Sequence, residues 1–317
     1  MKERTFRQDH LLGIEHLSVD DIETILETAE AFIEVSSRDV KKVPALKGKT
    51  VVNLFFENST RTRSSFEIAA KRLSADLINF NSSVSSLKKG ETLKDTVLTL
   101  EAMNPHIIVI RHSASGAPHY LTTFARSSIV NAGDGFHEHP TQALLDALTI
   151  KQKLKTMRKL KIAIIGDILH SRVARSNIIL HQKLGNEIAL IGPPSLVPHE
   201  FEKMGARVYY DIRRGVKGAD VVMMLRVQEE RGAKNYFPSI REYRNRFAIS
   251  REIFALAGKS AILMHPGPIN RDVEIETSMA DSAQSVILQQ VTNGIAVRMA
   301  VLFLVNGGKG PQEVAAG

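Results

Sequence analysis

Residues 50–73 read TVVNLFFENSTRTRSSFEIAAKRL, and this stretch decides the fold. It begins with a short apolar run from Thr50 to Phe56, passes through the polar residues 57–63 and continues as an amphipathic helical pattern from Ser64 to Leu73. Continuous apolar runs of this length are typical of strands that are covered on both faces. A strand, a polar turn and a helix in this order indicate one unit of a parallel α/β sheet.

The same alternation continues along the chain. Further apolar runs predict strands at His106–Ile110, Lys161–Ile165, Glu187–Ile191, Val221–Leu225 and Ala261–Met264. Helical patterns lie at Thr92–Ala102, Thr141–Leu154, Ser171–Lys183 and Ser285–Leu304. Because 317 residues correspond to about two domains, the sequence predicts an α/β protein of two doubly wound domains, each with a mainly parallel sheet flanked by helices. We place the first domain at 1–142, completed by a C-terminal helix at 286–312, and the second at 143–285.

Composition narrows the classes of function. The chain has 42 Lys and Arg against 34 Asp and Glu, a net charge of +8, which favours anionic partners: nucleic acid, a membrane surface or a small metabolite. The absence of cysteine excludes disulfides, thiolate zinc sites and a cysteine nucleophile. The charged start of the chain lacks the apolar segment of a signal peptide, and the longest apolar run, Met299–Val305, is far shorter than a membrane span. We therefore expect a cytoplasmic protein without a membrane partner.

The polar turn within residues 50–73 predicts a phosphate site. Hydroxyls of Ser59, Thr60 and Thr62, the fork-shaped donor of Arg61 and the N–H groups of a helix start together match the oxygens of a phosphate. The helix start itself has a capping-box pattern from Ser64 to Glu67. Simple capping by the hydroxyls is the alternative, but arginines at a helix start oppose its dipole, and a bound anion removes that conflict. Arg63 is equally able to pair with Glu57.

Cations and amides follow the other predicted strands. They are Arg111, His139, Gln142, Arg172, Arg226 and the turn Gly267-Pro268. Ligands of open parallel sheets bind beyond the carboxyl ends of the strands, so we expect these residues around one cleft that binds more than one anionic group. The set contains no serine triad and no carboxylate pair. Chemistry would then depend on positioning two substrates and stabilising negative charge, without a covalent enzyme intermediate.

Cofactor, metal and nucleic-acid functions are poorly supported. His137, Glu138 and His139 alternate before a proline, which is a poor chelate without an evident third ligand, so we predict no metal. Only Gly166 is present of the three glycines that a dinucleotide fingerprint needs, so we predict no cofactor. The basic residues at 151–159 lack interleaved aromatics and suit a solvated helix end better than a nucleic-acid surface.

A set of motifs in this order resembles the aspartate/ornithine transcarbamoylase superfamily, on the branch of the aspartate carbamoyltransferase catalytic chains. The motifs are Ser59-Thr60-Arg61-Thr62-Arg63, Lys88-Lys89-Gly90-Glu91-Thr92, Arg111-His112, His139-Pro140-Thr141-Gln142, Arg226-Val227-Gln228 and His265-Pro266-Gly267-Pro268, and they span nearly the whole chain. Relatives that use ornithine are expected to have cysteine in two of these motifs, where this chain has Thr141 and Gly267. The resemblance therefore favours aspartate as the acceptor, with another amino acceptor as the alternative.

The resemblance implies transfer of the carbamoyl group from carbamoyl phosphate to L-aspartate in pyrimidine biosynthesis. It implies a carbamoyl phosphate-binding first domain and an aspartate-binding second domain. Carbamoyl phosphate would be bound by Ser59, Thr60, Arg61, Thr62, Arg111, His139, Gln142, Gly267 and Pro268. Aspartate would be bound by Lys89, Arg172, Arg226 and Gln228. The catalytic residues would be Arg61, Thr62, Lys89, Arg111 and His139.

The resemblance also implies an assembly. Lys89, near Ser86, is expected to reach the active site of a neighbouring subunit in a homotrimer, and regulatory or dihydroorotase chains are possible partners. The region Asn235–Phe247 is expected to form a mobile loop on the aspartate side, with no catalytic residue assigned in it.

Overall fold

The chain folds into two compact units in a computed structural model that describes residues 6–81, 91–226 and 239–316. The first unit comprises Met1–Leu145 and Thr292–Gly317, and the second comprises Asp146–Val291. The domain limits derived from the sequence stay a prediction.

The first unit contains a four-stranded sheet and its helices. Its elements are α1 (Val19–Ser37), β1 (Thr50–Phe55), α2 (Thr60–Arg72), β2 (Asp76–Asn81), α3 (Leu93–Glu101), β3 (Ile107–His112), α4 (Ala117–Thr122), β4 (Ser128–Asp134), the start of α5 (Pro140–Leu154), the end of α11 (Ile287–Val305) and α12 (Pro311–Ala316). The strands run parallel in the order β2-β1-β3-β4.

The second unit contains a five-stranded parallel sheet in the order β7-β6-β5-β8-β9. Its further elements are β5 (Lys161–Ile165), α6 (Arg172–Lys183), β6 (Glu187–Ile191), β7 (Arg207–Tyr209), α7 (Ile212–Val216), β8 (Val221–Met224), α8 (Ile240–Phe247), α9 (Arg251–Phe254), β9 (Ile262–Met264) and α10 (Thr277–Ala280). The predicted fold class, two parallel sheets flanked by helices, is confirmed.

Three strands and one long helix were missing from the pattern-based prediction. Strand β2 is an edge strand of sequence DLINFN, so it lacks the continuous apolar run of a central strand. Strand β7 has only three residues, and β4 runs into polar residues at its end. Helix α1 begins with a capping box in which the Ser18 hydroxyl accepts the Asp21 N–H. Short or polar strands leave little periodic signal, whereas α1 carried one that was overlooked.

Each sheet reverses its winding direction beside its first strand. In the first unit β1 is flanked by β2 and β3, and in the second β5 is flanked by β6 and β8. Such switch points open a crevice at the carboxyl ends of the two central strands, where α/β proteins bind ligands. Residues after β1 and β3, and residues after β5 and β8, are therefore placed at the functional end of each sheet.

Among the described helices, α11 alone has the length and apolar composition of a membrane span, with a mean hydropathy of 1.4. Within the structure, 67% of that stretch is buried, as in a helix that packs into a protein core.

Candidate active site

Helix α2 begins earlier than the sequence pattern predicted. Ser59 is its N-cap, Thr60 is its first residue, and the Arg63 N–H donates to the Ser59 carbonyl oxygen at 3.0 Å. The predicted capping box from Ser64 to Glu67 is wrong, because both residues lie inside the helix. The two arginines of the first turn made a later start look more favourable, since cations oppose the dipole there.

The start of α2 presents hydrogen-bond donors. The Ser59 side chain makes no capping hydrogen bond. Ser59, Thr60, Arg61 and Thr62 occupy the N-cap and first turn, whose N–H groups have no acceptor within a helix and carry its partial positive charge. Thr62 is buried, whereas Thr60 and Arg61 are exposed. This segment, which follows β1 at the switch point, is suited to bind a phosphate.

Arg111 is fixed beside the same strand end. It pairs in register with Phe55 at the end of β1, its Nη1 donates to the Ala132 carbonyl oxygen at 3.1 Å, and its Nε lies 3.2 Å from the Glu57 carboxylate. The sequence analysis paired Glu57 with Arg63 as one alternative. In the structure the Glu57 carboxylate lies against Arg111 instead. The guanidinium is thereby oriented before any ligand binds.

His112, next to Arg111 in the chain, adds little positive charge. Burial lowers the pKa of His112, although the Glu57 carboxylate acts in the opposite direction. Its Nδ1 accepts the Ala114 N–H at 2.9 Å. The charge at this strand end therefore comes from arginine at neutral pH.

A network of buried polar groups shapes the turn before α5. Asp134 Oδ1 accepts the Asn131 side-chain amide at 2.8 Å and the Glu138 N–H at 3.1 Å. The Glu138 carboxylate accepts the N–H groups of Ile14 at 2.9 Å and Glu15 at 3.3 Å. These acidic residues are used to hold the turn and the N-terminal segment, so they are not free to serve as catalytic bases.

His139 and Gln142 are both buried at the start of α5. The Gln142 N–H donates to the His139 carbonyl oxygen at 3.0 Å, which holds the two residues on one turn. An imidazole and an amide in this position can donate to a carbonyl oxygen and accept from an amide nitrogen.

In the second unit, Arg172 is the first residue of α6 and is only 4% exposed. Ser171 caps this helix, and its hydroxyl accepts the Ala174 N–H at 3.1 Å. Arg226 follows β8 and is half-buried. Both arginines thus lie at the switch point of the second sheet, next to β5 and β8.

The turn at Gly267-Pro268 follows β9 and is held by a buried histidine. Gly267 has φ +70°, a conformation that favours glycine, and its peptide bond to Pro268 is cis. The Gly267 N–H donates to His265 Nδ1 at 2.7 Å, and His265 Nε2 lies 3.3 Å from the Glu274 carboxylate. Because Nδ1 accepts, Nε2 carries the proton and donates to Glu274. The turn is thereby held in one conformation by His265.

Several predicted residues lie outside the described part of the chain: Ser86, Lys89, Gln228 and the first residues of the 235–247 region, 235–238. Residues 240–247 form α8 instead of a loop, with Ser239 as N-cap and with Tyr243 and Phe247 buried in the core of the second unit. Two aromatic residues four positions apart lie on one helix face, a signal that the sequence analysis missed.

The spacing of residues in the sequence showed no third metal ligand near His137. The fold brings two further ligand-type side chains, Asp134 and His119, close to it. His137 Nδ1 lies 3.1 Å from Asp134 Oδ2, and His119 from α4 joins them. Burial, together with the His137 and His16 imidazoles, lowers the pKa of His119. Burial acts to raise the pKa of Asp134, but hydrogen bonds from His137 and from backbone and amide groups leave it below its usual value. His16, His119 and the Asp134–His137 pair come from separate segments of the chain, and His16 lies 103 positions before His119, so motif spacing could not have predicted the group.

Two family models match the chain. The first, described as the carbamoyl-P binding domain of aspartate/ornithine carbamoyltransferase, matches residues 9–152. The second, described as the Asp/Orn binding domain of the same family, matches residues 158–305. Together the two matches cover nearly all of the chain.

Curated relatives and solved structures agree with these matches. The chain is 57% identical over 310 residues to the aspartate carbamoyltransferase catalytic subunit of Syntrophotalea carbinolica, covering 98% of this chain and 99% of the relative. It is 55% identical to that of Syntrophus aciditrophicus, covering 94% and 97%. The crystal structure of aspartate transcarbamoylase from Trypanosoma cruzi with carbamoyl phosphate and aspartate has a TM-score of 0.84 at 30% identity, covering 95% and 98%. A second structure of that enzyme contains N-(phosphonacetyl)-L-aspartic acid, with a TM-score of 0.84 at 30% identity, covering 94% and 96%.

Proposed function

Because this chain belongs to the aspartate/ornithine carbamoyltransferase family, we propose that it transfers the carbamoyl group of carbamoyl phosphate to the amino group of L-aspartate. The products are N-carbamoyl-L-aspartate and phosphate, and the reaction is an early step of pyrimidine biosynthesis. The observation that carries this proposal is the start of α2, where hydroxyls, N–H groups and an arginine are placed together at a switch point.

The first unit supplies the groups for carbamoyl phosphate. Ser59, Thr60, Arg61 and Thr62, together with Arg111, bind the phosphate in this proposal. Negative charge grows on the carbonyl oxygen as the amine attacks, and preorganised donors there stabilise the transition state more than the ground state. Thr62, Arg111 and His139 are the proposed donors, and Arg111 is already oriented by Ala132 and Glu57.

The carbamoyl nitrogen and the acceptor need different partners. Gln142 and the carbonyl groups at Gly267 and Pro268 are proposed to accept from the carbamoyl nitrogen. Arg172, Arg226, Gln228 and Lys89 are proposed to bind aspartate, since guanidinium forks match carboxylates.

The proposed reaction is a direct displacement that follows the binding of both substrates. The aspartate nitrogen forms a bond to the carbonyl carbon, the bond from that carbon to the phosphate oxygen breaks, and the departing phosphate accepts the amine proton. No covalent enzyme intermediate forms. A solvent isotope effect that first appears in His139→Gln would instead indicate that His139 takes part in the proton transfer.

The acceptor is tested with the purified full chain. Carbamoyl phosphate is supplied with L-aspartate, with L-ornithine and with related amines, and both phosphate release and the carbamoylated product are measured. We expect equal amounts of phosphate and N-carbamoyl-L-aspartate with aspartate, and no product above background with ornithine. Faster transfer to another amine would establish the alternative, a transcarbamoylase with a different acceptor.

We further propose a cytoplasmic homotrimer in which Lys89 acts in the active site of a neighbouring subunit, with regulatory or dihydroorotase chains as possible partners. The test mixes inactive Lys89→Ala and His139→Ala chains under conditions that exchange subunits. Recovered activity supports shared sites, because some sites then contain both native residues. No recovery after hybrid trimers have been verified by native mass spectrometry contradicts them.

A further inference from the structure

Imidazole and carboxylate side chains gather at the carboxyl end of β4, and carbamoyl transfer does not use them. His119 comes from α4, Asp134 from the end of β4 and His137 from the turn before α5, and one ligand-type atom of each lies within 4.8 Å of the others. His16, from the turn before α1, extends the group, with its Nε2 3.3 Å from the His119 Nε2. The fold thus brings four metal-ligating side chains together from separate segments.

Two distances in this group fit the coordination of a small metal ion. Nitrogen and oxygen ligands at about 2.0–2.1 Å from a tetrahedral Zn²⁺ ion lie about 3.3 Å from one another. The Nε2 atoms of His16 and His119 are 3.3 Å apart, and His137 Nδ1 is 3.1 Å from Asp134 Oδ2. The side chains of His119 and His137 are only partly buried, and binding of one ion by both pairs would require them to rotate.

The carboxylate is held in place as a metal ligand needs to be. Asp134 is fully buried and accepts the Gly116 N–H at 2.7 Å, the Asn131 side-chain amide at 2.8 Å and the Glu138 N–H at 3.1 Å. Hydrogen bonds of this kind orient ligands and are part of metal sites in proteins. His16 is exposed, so the group is open to an ion from solvent.

We propose that His16, His119, His137 and Asp134 form a binding site for a divalent transition-metal ion of the Zn²⁺ class. Three imidazoles with one carboxylate suit Zn²⁺, Co²⁺, Ni²⁺ or Cu²⁺ better than Mg²⁺ or Ca²⁺, which prefer oxygen ligands. His139, two residues further on, is not among the side chains of this group, so no proposed substrate residue is a ligand of the site.

The test titrates Zn²⁺ into the full chain, without a histidine tag and in phosphate-free buffer, by calorimetry. We expect saturable binding of one ion per chain, and substitution with Co²⁺ should give the visible absorption of a tetrahedral site. His119→Phe keeps a ring in the same place but removes the ligand. It should weaken Zn²⁺ binding by more than the ~10–100-fold that loss of an outer partner costs. Carbamoyl transfer should be retained, which verifies the fold.

Two control variants test whether the ion binds at histidines outside the proposed group. His199→Gln changes an exposed histidine of the second unit, and His139→Gln changes the proposed catalytic imidazole; both should bind Zn²⁺ as the native chain does. If His119→Phe does not fold, the exposed His16→Gln should weaken binding at least ~10-fold. Absence of saturable Zn²⁺ binding to the native chain overturns the proposal. So does unchanged binding by the His119 or His16 variant, or loss of binding in His139→Gln alone; the contacts would then be packing and hydrogen bonding only.

Discussion

Helices α2 and α6 occupy equivalent places in the two units, each directly after the first central strand at a switch point, but their first turns are built differently. The Ser171 hydroxyl caps α6 by accepting the Ala174 N–H, whereas the Ser59 hydroxyl makes no such bond to α2. The first turn of α6 is completed by the protein itself. The first turn of α2 has no such side-chain cap from its N-cap serine.

The first turns of α2 and α6 also differ in how deeply their arginines are buried. Arg172 at the start of α6 is buried, whereas Arg61 at the start of α2 is exposed. Further along α6, His181 is also fully buried, so this helix is embedded in its unit. Two helices in equivalent places thus differ in capping and burial, and the proposed phosphate site lies at the one without a side-chain cap.

The largest expected effect is at the start of α2. Arg61→Ala should lower kcat/KM by about 10³-fold, because it removes a charged donor from the phosphate. Arg61→Lys keeps the charge but not the fork and should recover part of the loss. Since Arg61 is exposed, circular dichroism and thermal unfolding should be unchanged. Unchanged affinity of Arg61→Ala for a phosphonate analogue, measured by calorimetry, contradicts the role of this helix start.

The second effect tests how deeply α6 is embedded. Burial lowers the pKa of His181 to about 4, while the unfolded chain has the ordinary value of about 6.5. The contribution of His181 to the free energy of unfolding should be constant above pH 6.5, fall by about 3 kcal/mol between pH 6.5 and 4, and level off below, because only the unfolded chain takes up this proton in that range.

Urea unfolding at a series of pH values checks this prediction. His181→Phe should lose the contribution of His181, so its free energy of unfolding should fall less than that of the native chain between pH 6.5 and 4, even if its overall stability is lower. The matched control is His199→Gln, at a histidine that is 74% exposed, which should keep the native pH dependence. An identical pH dependence in the native chain and His181→Phe would show that another group is responsible.

A third, smaller effect tests whether the two units bind different substrates. Arg226→Gln should raise the KM for aspartate by about 10–100-fold, since a charged hydrogen bond to a carboxylate contributes about 1.5–3 kcal/mol. Affinity for a phosphonate analogue of carbamoyl phosphate that lacks the aspartate part should remain unchanged, in contrast to Arg61→Ala. Steady-state kinetics with each substrate varied in turn distinguish the two outcomes. A weaker phosphonate affinity in Arg226→Gln would mean that phosphate recognition is not confined to the first unit.

The smallest effect compares the two N-caps. Ser171→Ala should destabilise its unit by about 1 kcal/mol, because it removes a capping hydrogen bond. Ser59→Ala should cost less than about 0.5 kcal/mol, because its side chain makes no cap to lose. Chemical denaturation measures both. Equal destabilisation would indicate that Ser59 is a structural cap.

The two sheets could largely be predicted from the sequence, and the reason is physical. Central strands of parallel sheets are buried on both faces, so β5 and β6 read as apolar runs whose limits match the predicted ones, Lys161–Ile165 and Glu187–Ile191. The edge strand β2 and the short β7 lack that signal. The start of α2 was placed four residues too late, because arginines in a first turn oppose the helix dipole and favoured a later start.

In the candidate site, too, consecutive residues could be predicted from the sequence, whereas contacts between separate segments could not. Ser59 to Thr62 are consecutive, so the sequence alone was enough to predict a phosphate motif there, which stays a prediction. The partner of Glu57 was misjudged, because its contact with Arg111 depends on how β1 and β3 lie side by side. The group around His119 and His137 was missed for the same reason, since its members come from separate segments.

A crystal structure of the full chain with N-(phosphonacetyl)-L-aspartate tests the central claim most directly. The claim is that the open first turn of α2 binds the phosphate. The expected result is a phosphonate group whose oxygens accept hydrogen bonds from the N–H groups and hydroxyls of Ser59 to Thr62 and from Arg61 and Arg111. A phosphonate bound at the capped start of α6, or anywhere away from α2, would contradict the account.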